Sequence, residues 1–175
     1  MEKKEDLVKK SQKRKLSKID IILIIIVLAI IVLDQITKIY MVKIENIDVI
    51  QNVLKFNVTH NEKAAYGIGS NSTFMYVATN IIILGIIFKF ITTQNEYVDT
   101  KLKVFLSFIM AGGISNVIDR IIRGYVVEFI DFTPSVNIPI FNIADIFTVL
   151  GWVLVVAVFS YFTVTEWQKK EKSKI

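Results

Sequence analysis

The chain has 175 residues, 53% of them hydrophobic, a mean hydropathy of +0.53 and a formal net charge of +5. It has no cysteine and a single histidine, His60. That excludes disulfides, thiolate metal sites, a His-rich zinc site and acylation of the chain on an N-terminal Cys of its own. The basic excess sits mainly at the two ends, which is topology information rather than a nucleic-acid-binding surface.

Residues 1–18 form a basic tail carrying Lys3, Lys4, Lys9, Lys10, Lys13, Arg14, Lys15 and Lys18. A spanning helix needs roughly 20 mainly apolar residues, and the first such stretch runs from about Ile19 to Met41. It is too long for a signal peptide's apolar core, and no small-x-small cleavage site follows before Asp34, so it reads as a retained span. Residues 42–73 form a loop. Within it, Val53-Leu54-Lys55-Phe56-Asn57-Val58-Thr59 partly alternates and is β-prone, so short strands are expected there. Three more spans follow, at about Phe74–Ile91, Leu102–Ile122 and Ile143–Val164. A second loop, 123–142, is punctuated by Pro134 and Pro139. Residues 165–175 form a second basic tail. The chain shows no internal repeat and no low-complexity segment.

Lys and Arg counts orient the spans. The eight basic residues of 1–18, Lys101 and Lys103 between spans 2 and 3, and Lys169, Lys170, Lys172 and Lys174 make fourteen on one side. Lys43, Lys55, Lys63 and Arg123 make four on the other. Both termini are therefore expected in the cytoplasm, with loops 42–73 and 123–142 outside.

Charges inside hydrocarbon are costly, and each needs a reason. Asp34, Gln35 and Lys38 fall at the outer end of span 1. Asn116, Asp119 and Arg120 fall at the outer end of span 3, and Asn142 and Asp145 at the outer start of span 4. Glu128 and Asp131 follow span 3 on the same side. Gly112, Asn116 and Arg120, at i, i+4 and i+8, share one helix face. Gly112 and Gly113 permit close helix approach. The expected picture is a small bundle whose polar pocket opens outward.

Each of these residues also has a structural reading. Asp34 with Lys38 can be an i,i+4 ion pair, and Asp119 can pair with Arg120 or Arg123. Asn80, Asn116 and Asn142 can be interhelical contacts. His60 reads as a loop residue, and Lys89 as snorkelling at the end of span 2. Asp145 resists such a reading. It stands in Phe-Asn-Ile-Ala-Asp-Ile-Phe with no cation within four residues, so it should hold a proton or share one with a second carboxylate. Two such carboxylates suffice for metal-free peptide hydrolysis: one acts as base on a water, the other as acid. No serine or cysteine nucleophile with a His–acid pair is evident.

Five collinear stretches carry a resemblance. They are Asp34-Gln35-Ile36-Thr37-Lys38; Asn61 through Ala64-Ala65-Tyr66-Gly67; Gly112-Gly113-Ile114-Ser115-Asn116-Val117-Ile118-Asp119-Arg120; Val126-Val127-Glu128-Phe129-Ile130-Asp131; and Phe141-Asn142-Ile143-Ala144-Asp145. Together they resemble signal peptidase II, the prolipoprotein signal peptidase of bacterial cytoplasmic membranes. The resemblance implies an all-α membrane protein: a four-transmembrane-helix bundle with a small extracytoplasmic β-cradle in the first outer loop and a short outer helix. It implies an aspartic endopeptidase, without cofactor or metal, that cuts diacylglyceryl-modified prolipoproteins just before the lipidated cysteine. It implies the inhibitor globomycin. Membrane lipid is the expected surrounding partner, nucleic acid is not a partner, and the working unit is expected to be a monomer.

The implied catalytic pair is Asp145 and Glu128. Asp34, Lys38, Asn61, Gly112, Asn116, Asp119, Arg120 and Asn142 match residues that line or brace the pocket. The family carries Asp where this chain has Glu128, one methylene longer, with Asp119 and Asp131 as possible stand-ins. It also usually has a small residue where Glu62-Lys63 precede the two alanines. Two other readings stay open: the resemblance, with Glu128 as its departure, allows an inactive relative that binds lipoproteins without cutting, and the buried carboxylates allow an ion-coupled transporter. Against the transporter, the polar groups stop at one depth and four spans without a repeat are few.

Overall fold

The computed structural model describes residues 16–44, 46–62, 73–92, 99–133 and 135–173. Four helices dominate it: α1 (Lys18–Met41), α2 (Thr73–Thr92), α3 (Thr100–Arg123) and α4 (Ile143–Lys172). Each is long and apolar enough to cross a membrane. Three strands, β1 (Ile47–Ile50), β2 (Leu54–Asn61) and β3 (Val126–Asp131), form one antiparallel sheet in the order β1-β2-β3. The architecture is the expected all-α membrane bundle with a small sheet.

Local chemistry sets the helix ends. At the start of α1, Ser17 Oγ accepts from the Asp20 N–H at 3.2 Å, and Asp20 Oδ2 accepts from the Ser17 N–H at 2.9 Å. This reciprocal cap satisfies two backbone donors that the helix cannot. Gly124 ends α3 in the left-handed region at φ 83°, its N–H donating to Arg120 O. A side chain there would be strained even though the space is open. Asn142 and Asp145 repeat the reciprocal cap at the start of α4.

Helix α3 is central and packs against the other three. Close approach depends on glycine. A Cβ on Gly112 would overlap Thr148 Oγ1 and the Ala144 carbonyl of α4, and one on Gly151 would lie 2.6 Å from Ile109 Cγ1 and 2.8 Å from Phe105 O. Small residues at such crossings let backbones meet where lipid supplies no hydrophobic drive. Leu23, Ile87, Ile91, Ile109 and Val155 make one apolar core. Val27, Ile30 and Ala111 make a second, flanked by Phe108 edge-on to Phe147. Much of the apolar surface faces outward, as at Ile82, Phe88, Val153 and Val156. In water this would be an aggregating belt; in lipid it is the solvent-facing surface.

The sheet sits at the end of the bundle where α1 and α3 finish and α4 begins. Phe56 meets Phe129 edge-on across β2 and β3. Beyond β3 the Val136 N–H donates to Phe132 O at 2.8 Å, and Phe141 pairs with Ile130 in both directions at 2.9 and 3.1 Å. That pairing ties β3 to the residue just before α4.

Several expectations change. The sheet takes its third strand from the second loop, so the cradle is not confined to the first. β2 runs on to Asn61, past Thr59. Helix α4 continues to Lys172, well beyond Val164 and through most of the segment read as a tail. Asn80 donates to Tyr76 O within its own helix at 2.9 Å instead of bridging two helices. His60 lies in β2, exposed, and stacks on Tyr125 at 4.1 Å. Between Gly124 and Asn142 the described residues form a strand and a turn but no short helix. Residues 1–15, the Lys63–Gly67 part of the second motif, Pro134 and Lys174 lie outside the described residues.

Candidate active site

All ten residues singled out from the sequence lie at the sheet end of the bundle. The structure sorts them into an enclosed group and a more open one.

The enclosed group centres on Lys38. Its ammonium is fully buried and meets three acceptors: Asp34 Oδ2 at 2.6 Å, Asp119 Oδ2 at 2.8 Å and Asn116 Oδ1 at 3.0 Å. An ammonium has three N–H bonds, so its donors are all used. Asp34 also accepts from Ser115 Oγ at 2.7 Å and from the Ala144 N–H at 2.9 Å. The latter bond places a carboxylate of α1 at the N-terminus of α4, where the helix leaves N–H groups unpaired. Asp119 accepts from Gln35 Nε2 at 2.9 Å, from the Val127 N–H at 3.2 Å and from Arg123. Two carboxylates thus face two cations, and the group is neutral overall. Among the described residues, no buried side-chain nitrogen or oxygen lacks a hydrogen-bond partner. Such a buried set need not stabilise the fold over an apolar one, but losing a single member leaves an uncompensated charge.

Asn116 and Asn142 link this group to Asp145. Asn116 Nδ2 donates to Asp145 Oδ1 at 2.8 Å, and the Asn142 N–H donates to Asp145 Oδ2 at 3.0 Å. Asn142 Nδ2 donates to Asn116 Oδ1 at 3.1 Å and to Val127 O at 3.2 Å. The i,i+3 spacing of Asn142 and Asp145 is therefore a helix cap whose acid also turns toward α3.

Glu128 projects from β3. In the sheet register Asn61 pairs with Val126 and Thr59 with Glu128. Asn61 and Glu128 are diagonal neighbours on one face, and Asn61 Nδ2 donates to Glu128 Oε1 at 2.7 Å. Burial pushes the Glu128 carboxyl above the usual carboxylate range. The Asn61 bond opposes this, the charge of Asp145 adds to it, and Arg120 and Lys38 moderate it. Asp145 is thus close enough to bear on the protonation of Glu128. Arg120 is nearly buried, lies 3.6 Å from the Tyr76 ring centroid of α2, and its charge reaches both acids.

The possible stand-ins for Glu128 are otherwise engaged. Asp119 belongs to the enclosed group. Asp131 accepts from Asn57 at 2.8 Å and from the Thr133 N–H and hydroxyl at 2.8 and 2.6 Å, and it pairs with Lys55 at 3.3 Å. Burial works against its ionisation, but the bonds from Thr133, Asn57 and Lys55 outweigh it and hold the carboxyl well below the usual range. Sequence reasoning missed Ser115, the structural part of Gln35 and the Ala144 N–H. Of the two cations that the sequence offered to Asp119, the structure pairs it with Arg123, at i,i+4.

Comparison with known proteins matches the sequence and the fold to one family. The family model for signal peptidase (SPase) II matches residues 26–162. A lipoprotein signal peptidase of Clostridium tetani is 39% identical over 132 residues, covering 71% of this chain and 83% of that protein. One of Brevibacillus brevis is 36% identical over 124 residues, covering 68% and 81%. A solved bacterial membrane enzyme, determined by the in meso method at 2.3 Å resolution, superposes with a TM-score of 0.73 at 31% identity, over 81% of this chain and 88% of that one.

Proposed function

The chain belongs to the signal peptidase II family, and from that premise we propose that Asp145 and Glu128 are the catalytic pair with which it works. It is an intramembrane protease that processes lipoprotein signal peptides. The substrate inferred is a diacylglyceryl-modified prolipoprotein, cut before its lipidated cysteine. Its signal helix enters from the bilayer, and its acyl chains stay in lipid. The basic tails orient both termini to the cytoplasm of a bacterial inner membrane, with the site near the outer face. One chain supplies both acids, so a monomer suffices.

One observation carries the assignment. Asp145 and Glu128 are half-buried acids held by amide donors at the mouth of the sheet, whereas Asp34 and Asp119 are spent on cations. Two neighbouring carboxyl groups share one proton. The ionised one takes a proton from water as the water oxygen bonds the scissile carbonyl carbon. The carbonyl oxygen takes the proton of the other. The tetrahedral diol then collapses: the C–N bond breaks, the amine takes the proton held by the base, and a diol hydroxyl returns a proton to the acid. The pair ends as it began. The inferred role of Arg120 is to compensate the pair's charge, and that of Asn142 is to fix the start of α4 on which Asp145 rides.

The experiment is cleavage of a lipid-modified prolipoprotein by wild type, Glu128→Gln and Asp145→Asn. Both variants should lose turnover while still binding substrate. Retained turnover in Asp145→Asn sinks the pair. Glu128 in place of the family's Asp keeps an inactive lipoprotein binder in view as the second reading. Wild type that binds without cutting, with cleavage restored by Glu128→Asp, would establish that reading instead.

A further inference from the structure

We infer that Lys38 and Asn116 are positioning residues that keep the shared proton on Glu128 and leave Asp145 as the ionised base. The inference rests on the reading of Asp145 and Glu128 as the pair, and it goes further by giving each acid one role.

The argument follows donors that have no choice. An amide side chain can present either its oxygen or its NH2, and the neighbours decide which. The Asp145 backbone N–H can only donate, and it points at Asn142, so the atom there is oxygen, 2.9 Å away. Asn142 must then turn its NH2 toward Asn116. Lys38, an ammonium between two carboxylates, can only donate too. Two donors therefore converge on one end of the Asn116 amide, Lys38 at 3.0 Å and Asn142 at 3.1 Å. That end is the oxygen. The Asn116 NH2 is left facing Asp145 Oδ1 at 2.8 Å.

Asp145 therefore receives a fixed donor on each oxygen, Asn116 Nδ2 on one and the Asn142 N–H on the other. Donors on both oxygens favour the carboxylate over the acid. Burial favours the proton on either acid; against it Glu128 has one donor, the Asn61 amide on Oε1, where Asp145 has two, and the nearby charge of Asp145 adds to the effect of burial on Glu128. The charges around the pair are Lys38 and Asp34 on α1 and Asp119 and Arg120 on α3. Lys38, Asp34 and Asp119 belong to the enclosed neutral group, which leaves the direction of the amides as the element that distinguishes the two acids. Remove Lys38, and the Asn142 amide alone still holds the Asn116 oxygen, so that oxygen turns more easily toward Asp145, which would then hold the proton to donate back.

This chain's pair consists of one Glu and one Asp, so isotopic labelling by residue type separates them. The experiment is infrared spectroscopy of the full-length enzyme in lipid at neutral pH, with the carboxyl carbons of either all Glu or all Asp labelled with 13C. The protonated-carboxyl band that disappears in Glu128→Gln should shift with the Glu label. In Asn116→Leu, which leaves Lys38 between Asp34 and Asp119, a protonated-carboxyl band should appear that shifts with the Asp label. Turnover there should fall about 10-fold, the size of one displaced hydrogen bond, with KM within about twofold. The charge-neutral pair Asp34→Asn/Lys38→Met should do the same to the band. A wild-type band that follows the Asp label overturns the inference, as does a band that stays with Glu in Asn116→Leu. If Glu128→Gln still cleaves, the pair itself is wrong. If Glu128→Gln is inactive and the band follows Asp, only the proton assignment is wrong.

Discussion

Two sets of acids lie at one end of the bundle in opposite surroundings. Asp34 and Asp119 are fully buried and face Lys38 and Arg123. Asp145 and Glu128 are half-buried, and amides hold them. Lying at one end of the bundle is common to both sets, so position along the helices alone does not identify chemistry. The difference lies in what neutralises each carboxylate. The enclosed set has spent its charge on structure, and the proposed pair keeps a proton to exchange.

The largest effects should separate the two sets cleanly. Asp145→Asn should cut prolipoprotein turnover by about 10³-fold or more, roughly 4 kcal/mol of barrier, while the thermal unfolding temperature in detergent barely moves. Lys38→Met should do the reverse in kind. It leaves two buried carboxylates short of a cation and should cost about 3–5 kcal/mol of stability, read as a large drop in unfolding temperature. A stable Lys38→Met, or an unfolded Asp145→Asn, would erase the distinction between the sets.

Gly112→Val tests the frame that both sets share. Its side chain would enter the space of Ala144 O and Thr148 Oγ1. The α3–α4 crossing should open at a cost of about 1–3 kcal/mol, and turnover should fall because Asn116 and Asp145 ride on opposite sides of that crossing. Unchanged turnover would show that the crossing does not set their separation.

Within β3 the comparison can be sharpened by pH. Asp131 has a depressed pKa, so its contribution is present above its ordinary value of 3.8 and is lost as pH falls through the folded value. Asp131→Asn should therefore destabilise by about 1–3 kcal/mol at neutral pH, and the gap from wild type should narrow once pH drops below 3.8. Glu128 has the opposite sign. Its pKa is raised, so stability is fully present below 4.5 and is lost as pH rises through the folded value. Unfolding temperatures of Glu128→Gln should gain on wild type as pH rises. Parallel pH trends for the two variants would contradict the opposite surroundings of these two strand acids.

The smallest effect belongs to Glu128→Asp. Shortening the side chain by one methylene moves the carboxyl away from Asn61, and the cleavage rate should change by no more than about 10-fold in either direction. A larger loss would mean that Asn61 and the longer side chain are matched to each other.

Much of this was legible in the chain itself. Four apolar stretches announced the spans, because lipid demands apolar length and internally paired backbone. The acids at the ends of those stretches stood out, because charge in hydrocarbon needs a reason. Asp34–Lys38 and Asn142–Asp145 could be read as pairs, because i,i+3 and i,i+4 neighbours share a helix face. Gly112 signalled a close crossing for the same local reason.

Only the tertiary structure decided which of these groups meet across helices, as Lys38 meets Asp119. Asp34 and Ala144 are joined across 110 positions, and Lys38 and Asn116 across 78. No periodicity encodes such distances. β3 was missed because a strand on the far side of a spanning helix finds its partner, β2, only after α2 and α3 have crossed. The directions of the Asn116 and Asn142 amides were equally invisible, since an amide has no preferred sense until obligatory donors close in on it. The sequence by itself determined where charge had to be explained. The packing of α1, α3, α4 and β3 determined which charges were cancelled and which were left to act.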